Sequence, residues 1–424
     1  MRQRTIATAT ILFFFLLGGA CASAQVSEKF LFPGKKRKVQ EKQEQPVQTQ
    51  PVQTQPLRDS TLSSPAQGGM TAIEDTPVMD EEDDDSFFSG GSDVVNLALI
   101  LPLGASSDKP SSNFLEMYAG TLLALRDLGN AGLKINLQTF DFAQNPRPEV
   151  DFESFDVILG PVSFNDISSA LENCGRKLLI SPLDPKVAQL SEDGGNVIQT
   201  PVPWTEQIDE LVDWVSEELL PMEEVILLGD GLTPKEGSRC EYLLNRLQDK
   251  RIRYRSIKAA SELERHGFAK YKVLIASDDE AFITRAVKGL GIASEQGADI
   301  TLYSTSTVRN CVGPDILDLY NLNTRLTAAY FIDYDSPKVK DFVLSYRALY
   351  ASEPSSFAFQ GYDAAKYFVT AFSQYGRRWY RKLPLYKSRG LQADFQFERG
   401  VADGKVNTAV RRIVYNKDLS TTLL

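Results

Sequence analysis

Nucleophilic and acid–base catalysis need particular side chains held together, and this sequence offers few of them. It has one histidine, His266, in the loop-like run Glu264-Arg265-His266-Gly267-Phe268. It has no Gly-x-Ser-x-Gly elbow and no Cys–His pair at a recognisable spacing. Asp278 and Asp279 are a carboxylate pair, but adjacent residues point apart. Gly229-Asp230-Gly231 lacks the glycine pattern and the downstream acid of a dinucleotide site. Widely spaced cysteines with one histidine do not make a zinc site. The reading is therefore non-catalytic, with no cofactor and no metal. What the chain does offer is binding chemistry. Small hydroxyl and acidic residues recur where short apolar runs stop: Ser163 after Val157–Leu159, Ser181 after Leu178–Ile180, Asp230 after Val225–Leu228, Asp278 after Val273–Ala276, and Ser304 at the end of Ile300–Tyr303. Ser163 also precedes a helical run, where free backbone N–H groups attract an anion. Ser and Asp cap helices routinely, so each of these residues has an ordinary structural use as well.

The elements that must position these groups alternate. The apolar run Val95–Leu101 stops at Pro102, and Phe114, Met117, Tyr118, Thr121, Leu122 and Leu125 then follow helical spacing. Lys134–Phe140 alternates as a strand. Asp156–Asp184 reads as strand, helix, strand, with Ile167, Ala170 and Leu171 at helical spacing. Short, wholly apolar strands joined by helices imply parallel pairing with helices on both faces, and the ligand crevice then lies beyond the carboxyl ends of the strands. A second alternating set starts at Trp204 and runs through Ile300–Tyr303. Two further helices follow at Val339–Tyr350 and Phe359–Tyr375. The tail carries alternating runs at Ala393–Phe397 and Val410–Tyr415, joined by a turn at Asp403-Gly404. The fold class is α/β with doubly wound sheets.

The chain is 424 residues with a formal charge of −10, which argues against a general nucleic-acid binder. Arg2 and Arg4 precede an apolar run, Ile6–Leu17, too short to span a bilayer. Ala22-Ser23-Ala24 gives a small-x-small pattern, so a signal peptide over residues 1–24 with cleavage after Ala24 is expected. The alternative is lipidation at Cys21, which would anchor the protein to a membrane. Residues 25–93 are expected to be a disordered linker. They carry the basic cluster Lys35-Lys36-Arg37-Lys38, a Pro-Val-Gln-Thr-Gln repeat and the acidic run Glu81–Asp85, with too few apolar residues to offset ordering entropy. An exported protein of the periplasm follows from these features.

Val95–Pro102 with the Met117–Gly120 helix, Leu159-Gly160-Pro161, Ile180-Ser181-Pro182, Tyr334–Pro337 and the Gly361–Ala365 helix start, taken in order, resemble type I periplasmic binding proteins of the branched-chain amino-acid receptor group. Leu391–Phe397 with Tyr415–Asp418 is similar to a Bacteroidetes-type envelope variant. The resemblance implies two Rossmann-like lobes joined by three crossings that close on a ligand. It places the crossings near Pro203, Ala328 and Leu385. Lobe 1 is then 94–203 with 328–385, and lobe 2 is 204–327 with 386–424. In amino-acid binders of this group, residues after Gly-Pro and Ser-Pro grip the α-carboxylate and α-amino group. Carried over, these are Ser163 and the Leu183–Asp184 positions. Leu183 and Asp184 depart from the usual small and hydroxyl residues, and an acidic Asp184 favours a cationic or hydroxyl-rich ligand. The candidate ligand residues are thus Ser163, Asp184, Asp230, Asp278, Ser304 and Tyr334. With both in lobe 2, Cys240 and Cys311 are the candidate disulfide, the alternative being that Cys174, Cys240 and Cys311 are all small buried thiols.

Two functions fit this reading. One is a receptor that closes its lobes on a small polar ligand, as in amino-acid transport. The other is an interaction protein of cell-wall or envelope assembly that contacts an envelope protein through the same fold. The run Tyr375-Gly-Arg-Arg-Trp-Tyr-Arg-Lys stands apart. It is either an anionic-surface contact anchored by Trp379 and Tyr380, or a helix end with arginines over its last carbonyls.

Overall fold

The computed structural model describes residues 94–145, 147–192, 195–264, 269–312, 316–398 and 405–424. The expected signal peptide, Cys21, the linker, His266 and the Asp403-Gly404 turn lie outside the described residues. The first lobe runs β1 (Val94–Leu101), α1 (Ser112–Asn130), β2 (Lys134–Asp141), β3 (Val157–Leu159), α2 (Phe164–Leu171), β4 (Leu179–Ser181), α3 (Ala188–Glu192) and β5 (Val197–Gln199). The second runs α4 (Trp204–Glu218), β6 (Glu223–Gly229), α5 (Arg239–Asp249), β7 (Arg255–Ile257), β8 (Lys270–Ala276), α6 (Glu280–Glu295), β9 (Asp299–Thr305), α7 (Thr307–Val312), α8 (Leu317–Asn321) and β10 (Arg325–Ala328). The chain then returns to the first lobe with α9 (Pro337–Tyr350), α10 (Ser356–Tyr375), a 3-10 segment (Gly376–Leu385), β11 (Ser388–Arg389) and β12 (Asp394–Phe395). It ends in the second lobe with β13 (Arg411–Tyr415) and β14 (Thr421–Leu423).

The first sheet has the order β2-β1-β3-β4-β5 and is parallel throughout. The second has the order β14-β13-β10-β9-β8-β6-β7, parallel except where β13 pairs with β10 and β14. Renumbered within each lobe, the five parallel strands share one order, 2-1-3-4-5. This is the doubly wound pattern, whose winding reverses between strands 1 and 3. β1 is apolar on both faces because both are covered. Leu97, Leu99 and Leu101 pack against α1 and α10, while Ala98 and Ile100 pack against Phe140, Phe155 and α2. At the first sheet's edge, β2 alternates exposed and half-buried residues instead. Two Rossmann-like lobes joined by three crossings is thus the architecture of the chain.

The helix α10 is buried around nearly its whole girth, from Ala358 to Ala371. It crosses α1 with backbones almost touching. A Cβ on Gly120 would lie 1.8 Å from the Ala358 carbonyl oxygen, and one on Gly361 would lie 2.1 Å from that of Met117. Gly160 is required for a different reason. It has φ +100° at the end of β3, and a Cβ there would lie 2.2 Å from the Ile100 oxygen.

Two expectations are corrected. Cys174, Cys240 and Cys311 are free thiols. Cys240 packs on the α4–α5 face of the second sheet and Cys311 on the α6 face, so the sheet itself separates the supposed pair. The third crossing also lies later than Leu385. Tyr386 and Phe395 stack on Tyr367, Phe397 joins the first-lobe core, and Val406 bridges Gln199 beside β5. The chain reaches the second lobe only at Arg411. The two alternating runs of the tail are therefore in different lobes. β12 pairs with β11, and a single bridge, Phe397 to Asn407, ties the returning strand to it. Alternation marks a strand, but what fixes Phe395 and Phe397 is an aromatic stack that has no sequence period.

The helix crossing makes a test. Gly361→Ala should lower the urea midpoint by the equivalent of about 2 kcal/mol or more, since the added methyl meets backbone that cannot yield. Gly129→Ala, in the last turn of α1 with nothing within 4 Å, should instead be neutral or gain roughly 0.5 kcal/mol. Equal effects at both glycines would show that the crossing is not close.

Candidate functional site

The crossings orient both lobes. β5 leaves the first lobe from its carboxyl end, through Thr200–Pro203, and all strands of that sheet run with it. β10 leaves the second lobe from its carboxyl end, and β9, β8, β6 and β7 run the same way. The carboxyl edges of both parallel sheets therefore lie on the side where the crossings are. The two reversal points, β1/β3 and β6/β8, are on those edges.

On the first lobe, Ser163 is the N-cap of α2. Its Oγ accepts from the Asp166 amide at 3.2 Å and donates to Asp166 Oδ2 at 2.7 Å. Arg147 pairs with the other Asp166 oxygen at 2.5 Å. Asp184 reaches across from the end of β4. Its Oδ2 accepts from the Phe164 amide at 3.0 Å and its Oδ1 from the Lys186 amide at 2.9 Å. The helix end that the sequence offered to a ligand anion is thus held by the protein's own carboxylate. Asp141, at the end of β2, does the same for the loop after β1, accepting from the Gly104, Ala105 and Ala143 amides at 2.8–3.0 Å. Ser181 is fully buried beneath this surface.

On the second lobe, Asp230 Oδ2 accepts from Ser277 Oγ at 2.6 Å, joining the ends of β6 and β8 at the reversal point. Asp278 is exposed and accepts from the Cys240 amide at 3.3 Å, beside the Ser238 cap of α5. Asp279 caps α6 through the Ala281 and Phe282 amides. Arg239 lies over Trp204 and donates to Thr307 Oγ1 at 2.6 Å. Ser304 is half-buried near the end of β9. Tyr334 sits in the loop before α9, 60 % exposed, with its ring edge-on to Phe359. The structure thus groups Ser163 with Asp184 and Asp230 with Asp278. It leaves Ser304 inside a strand and Tyr334 on a separate loop.

Sequence reasoning missed the residues that join the crossings. Asp363, buried in α10, accepts from the amides of Leu391, Gln392 and Ala393 at 2.7, 2.8 and 3.1 Å. Arg411, at the start of β13, donates to the carbonyls of Phe331, Leu391 and Gly390 and to Asp394. The turn at 390–394 is therefore clamped between a carboxylate of one lobe and a guanidinium of the other. Asn407 uses its full amide capacity. Nδ2 donates to the Thr200 and Asp394 carbonyls, and Oδ1 accepts from the Gln396 and Ala409 amides. Gln392 reaches Gln360, and Gln360 reaches the Pro182 carbonyl. Thr200, Phe331 and Asn407 belong to the three crossings, so one buried network holds all three. The signal was present as a lone acid among apolar neighbours in Tyr362-Asp363-Ala364-Ala365, a position where a charge must be paired.

Burial pushes Asp363 up to about 6, against the three amides and Arg411, which pull it down. Beside the third crossing, a polar cavity of 510 Å³ separates α4 from residues 387–398. Glu206 on its wall is raised by burial and then by Asp209 and Glu398. Among the described residues, no group of His, Cys, Asp or Glu is placed to hold a metal, and no helix is long and apolar enough to cross a membrane.

No protein-family profile and no curated protein matches the chain. Solved structures similar to it include an ABC transporter substrate-binding protein from Desulfitobacterium hafniense in complex with Leu. That match has 16 % identity and a TM-score of 0.43, and covers 78 % of this chain and 100 % of that one. The branched-chain amino-acid transporter substrate-binding protein LivJ from Streptococcus pneumoniae, in complex with isoleucine, matches at 15 % identity and TM-score 0.41 over 78 % and 99 %. The C-domain of LpoA from Haemophilus influenzae, a regulator of PBP1A, matches at 12 % identity and TM-score 0.47 over 78 % and 99 %.

The clamp has a pH signature. Asp363 holds its proton to about pH 6 in the fold, well above an unfolded aspartate near 3.9. Between those values the folded state binds a proton that the unfolded state lacks, so this group stabilises the fold as pH falls from about 7 to 4. Wild type should gain stability relative to Asp363→Asn over that range, measured by denaturant titration at each pH. A relative loss would mean that the amides and Arg411 outweigh burial. Asp363→Ala strands three buried amides and should cost about 3 kcal/mol or more.

Proposed function

We propose that the chain is a non-catalytic, two-lobed binding protein that takes a polar ligand between the carboxyl edges of its sheets and moves about the three crossings. The observation that carries this reading is the placement of both reversal points on the crossing side. Two lobes hinged at one side, each presenting its strand ends toward that side, can close on what lies between. The ligand groups on this reading are Ser163, Asp184, Asp230 and Asp278, with Ser304 and Tyr334 as outer contacts. Asp184 already satisfies the first amide of α2, so that helix end has no place for a free α-carboxylate. The acids left on both edges suit a ligand that brings hydrogen-bond donors or positive charge. Export to the periplasm rests on Arg2, Arg4, Ile6–Leu17 and Ala22–Ala24, with an anchor only if Cys21 is lipidated.

The second reading is an interaction protein of envelope assembly. The self-capped helix end favours it, since a site that fills its own anion position has less use for an amino acid. Thermal melting separates the two. A ligand that binds only the folded chain raises its melting temperature by mass action, about 2.7 kcal/mol of stabilisation at a hundredfold excess over Kd. Against amino acids, peptides, sugars, diamines and wall fragments, the receptor reading expects a shift with donor-rich or cationic compounds and none with simple carboxylates. Asp184→Asn with Asp230→Asn should then reduce the shift. A flat panel favours the interaction protein, and crosslinking in cells would identify its partner.

A further inference from the structure

Between Asp363 and Asp394 the sequence holds no acidic residue, although the chain as a whole carries −10. Six cations fall between residues 377 and 389: Arg377, Arg378, Arg381, Lys382, Lys387 and Arg389. The first four lie on the 3-10 segment. Trp379 and Leu383 plug that segment into the first-lobe core, 3 % and 1 % exposed, with Trp379 edge-on to Phe368 at 5.7 Å. Burying those two turns Arg377, Arg378, Arg381 and Lys382 outward, and all four are exposed. Neither reading made from sequence describes this arrangement fully. Trp379 is a core residue and not a surface anchor. The arginines make no hydrogen bond to the last carbonyls of α10, and none of the four cations forms an ion pair among the described residues. Two apolar groups protrude among them. Tyr380 is 37 % exposed under the guanidinium of Arg381, and Leu385 is 66 % exposed.

We propose that this face docks on an anionic lipid bilayer. Cations without ion-pair partners on an acidic protein give this face a sign opposite to the net charge, so attraction to a negative surface also orients the molecule. The apolar pair selects among negative surfaces. A soluble polyanion or an acidic polypeptide satisfies the cations and leaves Leu385 in water. A bilayer interface takes the phenol ring at headgroup level and the leucine at the acyl boundary. The reading is independent of what the cleft binds.

The test is co-sedimentation of the full chain with phosphatidylcholine vesicles, with and without phosphatidylglycerol. The background carries Lys35, Lys36, Arg37 and Lys38 as Gln, so that the N-terminal cluster does not contribute. The expected result is a preference for anionic vesicles that falls by about tenfold or more when Arg377, Arg378, Arg381 and Lys382 become Gln, and that fades as salt rises. Replacing the three arginines by Lys should keep it. Tyr380→Ser with Leu385→Ser should weaken vesicle binding while leaving any retention on soluble polyglutamate unchanged. The four cations are exposed and form no ion pair among the described residues, so the Gln and Lys variants should keep the parent's melting temperature, and the Lys variant controls for folding. No anionic preference in the parent overturns the proposal. So does a Gln variant that binds like the parent. Binding to polyglutamate as tight as to vesicles and indifferent to Leu385 overturns the lipid assignment.

Discussion

The structure depends on the turn at 390–394 being held from both sides. Asp363 takes its amides from within the first lobe, and Arg411 takes its carbonyls from the first strand of the second lobe to follow the third crossing. A buried charge is costly unless paired and hydrogen-bonded, and here each charge is met mainly by backbone groups, although Arg411 Nε is left without a partner. Backbone partners cannot rotate away as side chains do. The clamp therefore sets the relative position of the crossings with directional bonds, where apolar packing alone would let them slide. Asn407 adds the first crossing through Thr200, and Phe331 adds the second through Gln392. Three strands that are far apart in sequence become one joint.

A joint is useful only between bodies that hold their shape. The first lobe is stiffened by the α1–α10 crossing at Gly120 and Gly361. The second has a buried charge network at the amino ends of its strands, away from the crossings. Lys272 pairs with Glu223 at 3.2 Å and with the Tyr303 hydroxyl at 3.2 Å. Tyr303 donates to Glu218, which also receives Trp214 and Arg325. Burial acts to raise Glu218, but these donors outweigh it and hold its carboxyl low. The network ties the end of α4 to β6, β8, β9 and β10. Rigidity thus sits at the far end of the lobe, and the crossing side carries the polar loops.

Much of this was legible in sequence. Apolar runs bounded by Pro, Gly or Ser marked β1, β3 and β4, and helical spacing marked α1, α9 and α10, because each depends on local period and local breakers. The residues at the strand ends were legible as a set. Their partners were not. Nothing near Asp184 in the chain says that its carboxylate will meet the Phe164 amide twenty residues away, and the same carboxylate reads equally well as a ligand contact. The Cys240–Cys311 pairing failed because a shared lobe does not mean a shared face. The third crossing was misplaced because Phe395 and Phe397 are held by Tyr367 and Phe368, a tertiary stack with no local signature.

Charges of both signs meet around the third crossing. Glu206 and Asp209 stand on α4 of the second lobe, while Glu398, just after Phe397, lines the opposite wall with Lys387 and Arg389. Burial acts first to raise Glu206, and both neighbours raise it further, which is the mark of like charges held close in a partly desolvated gap. Rotation that brings α4 toward residues 387–398 closes that gap and brings Glu206 nearer both to Glu398 and to Lys387 and Arg389 on the same wall. Rotation the other way opens it. The clamp at 390–394 lies beside this gap, since Asp394 lines the cavity and also takes Arg411. The pivot and these charges therefore share the same few residues, so any rotation at the clamp also changes the spacing of the charges across the gap.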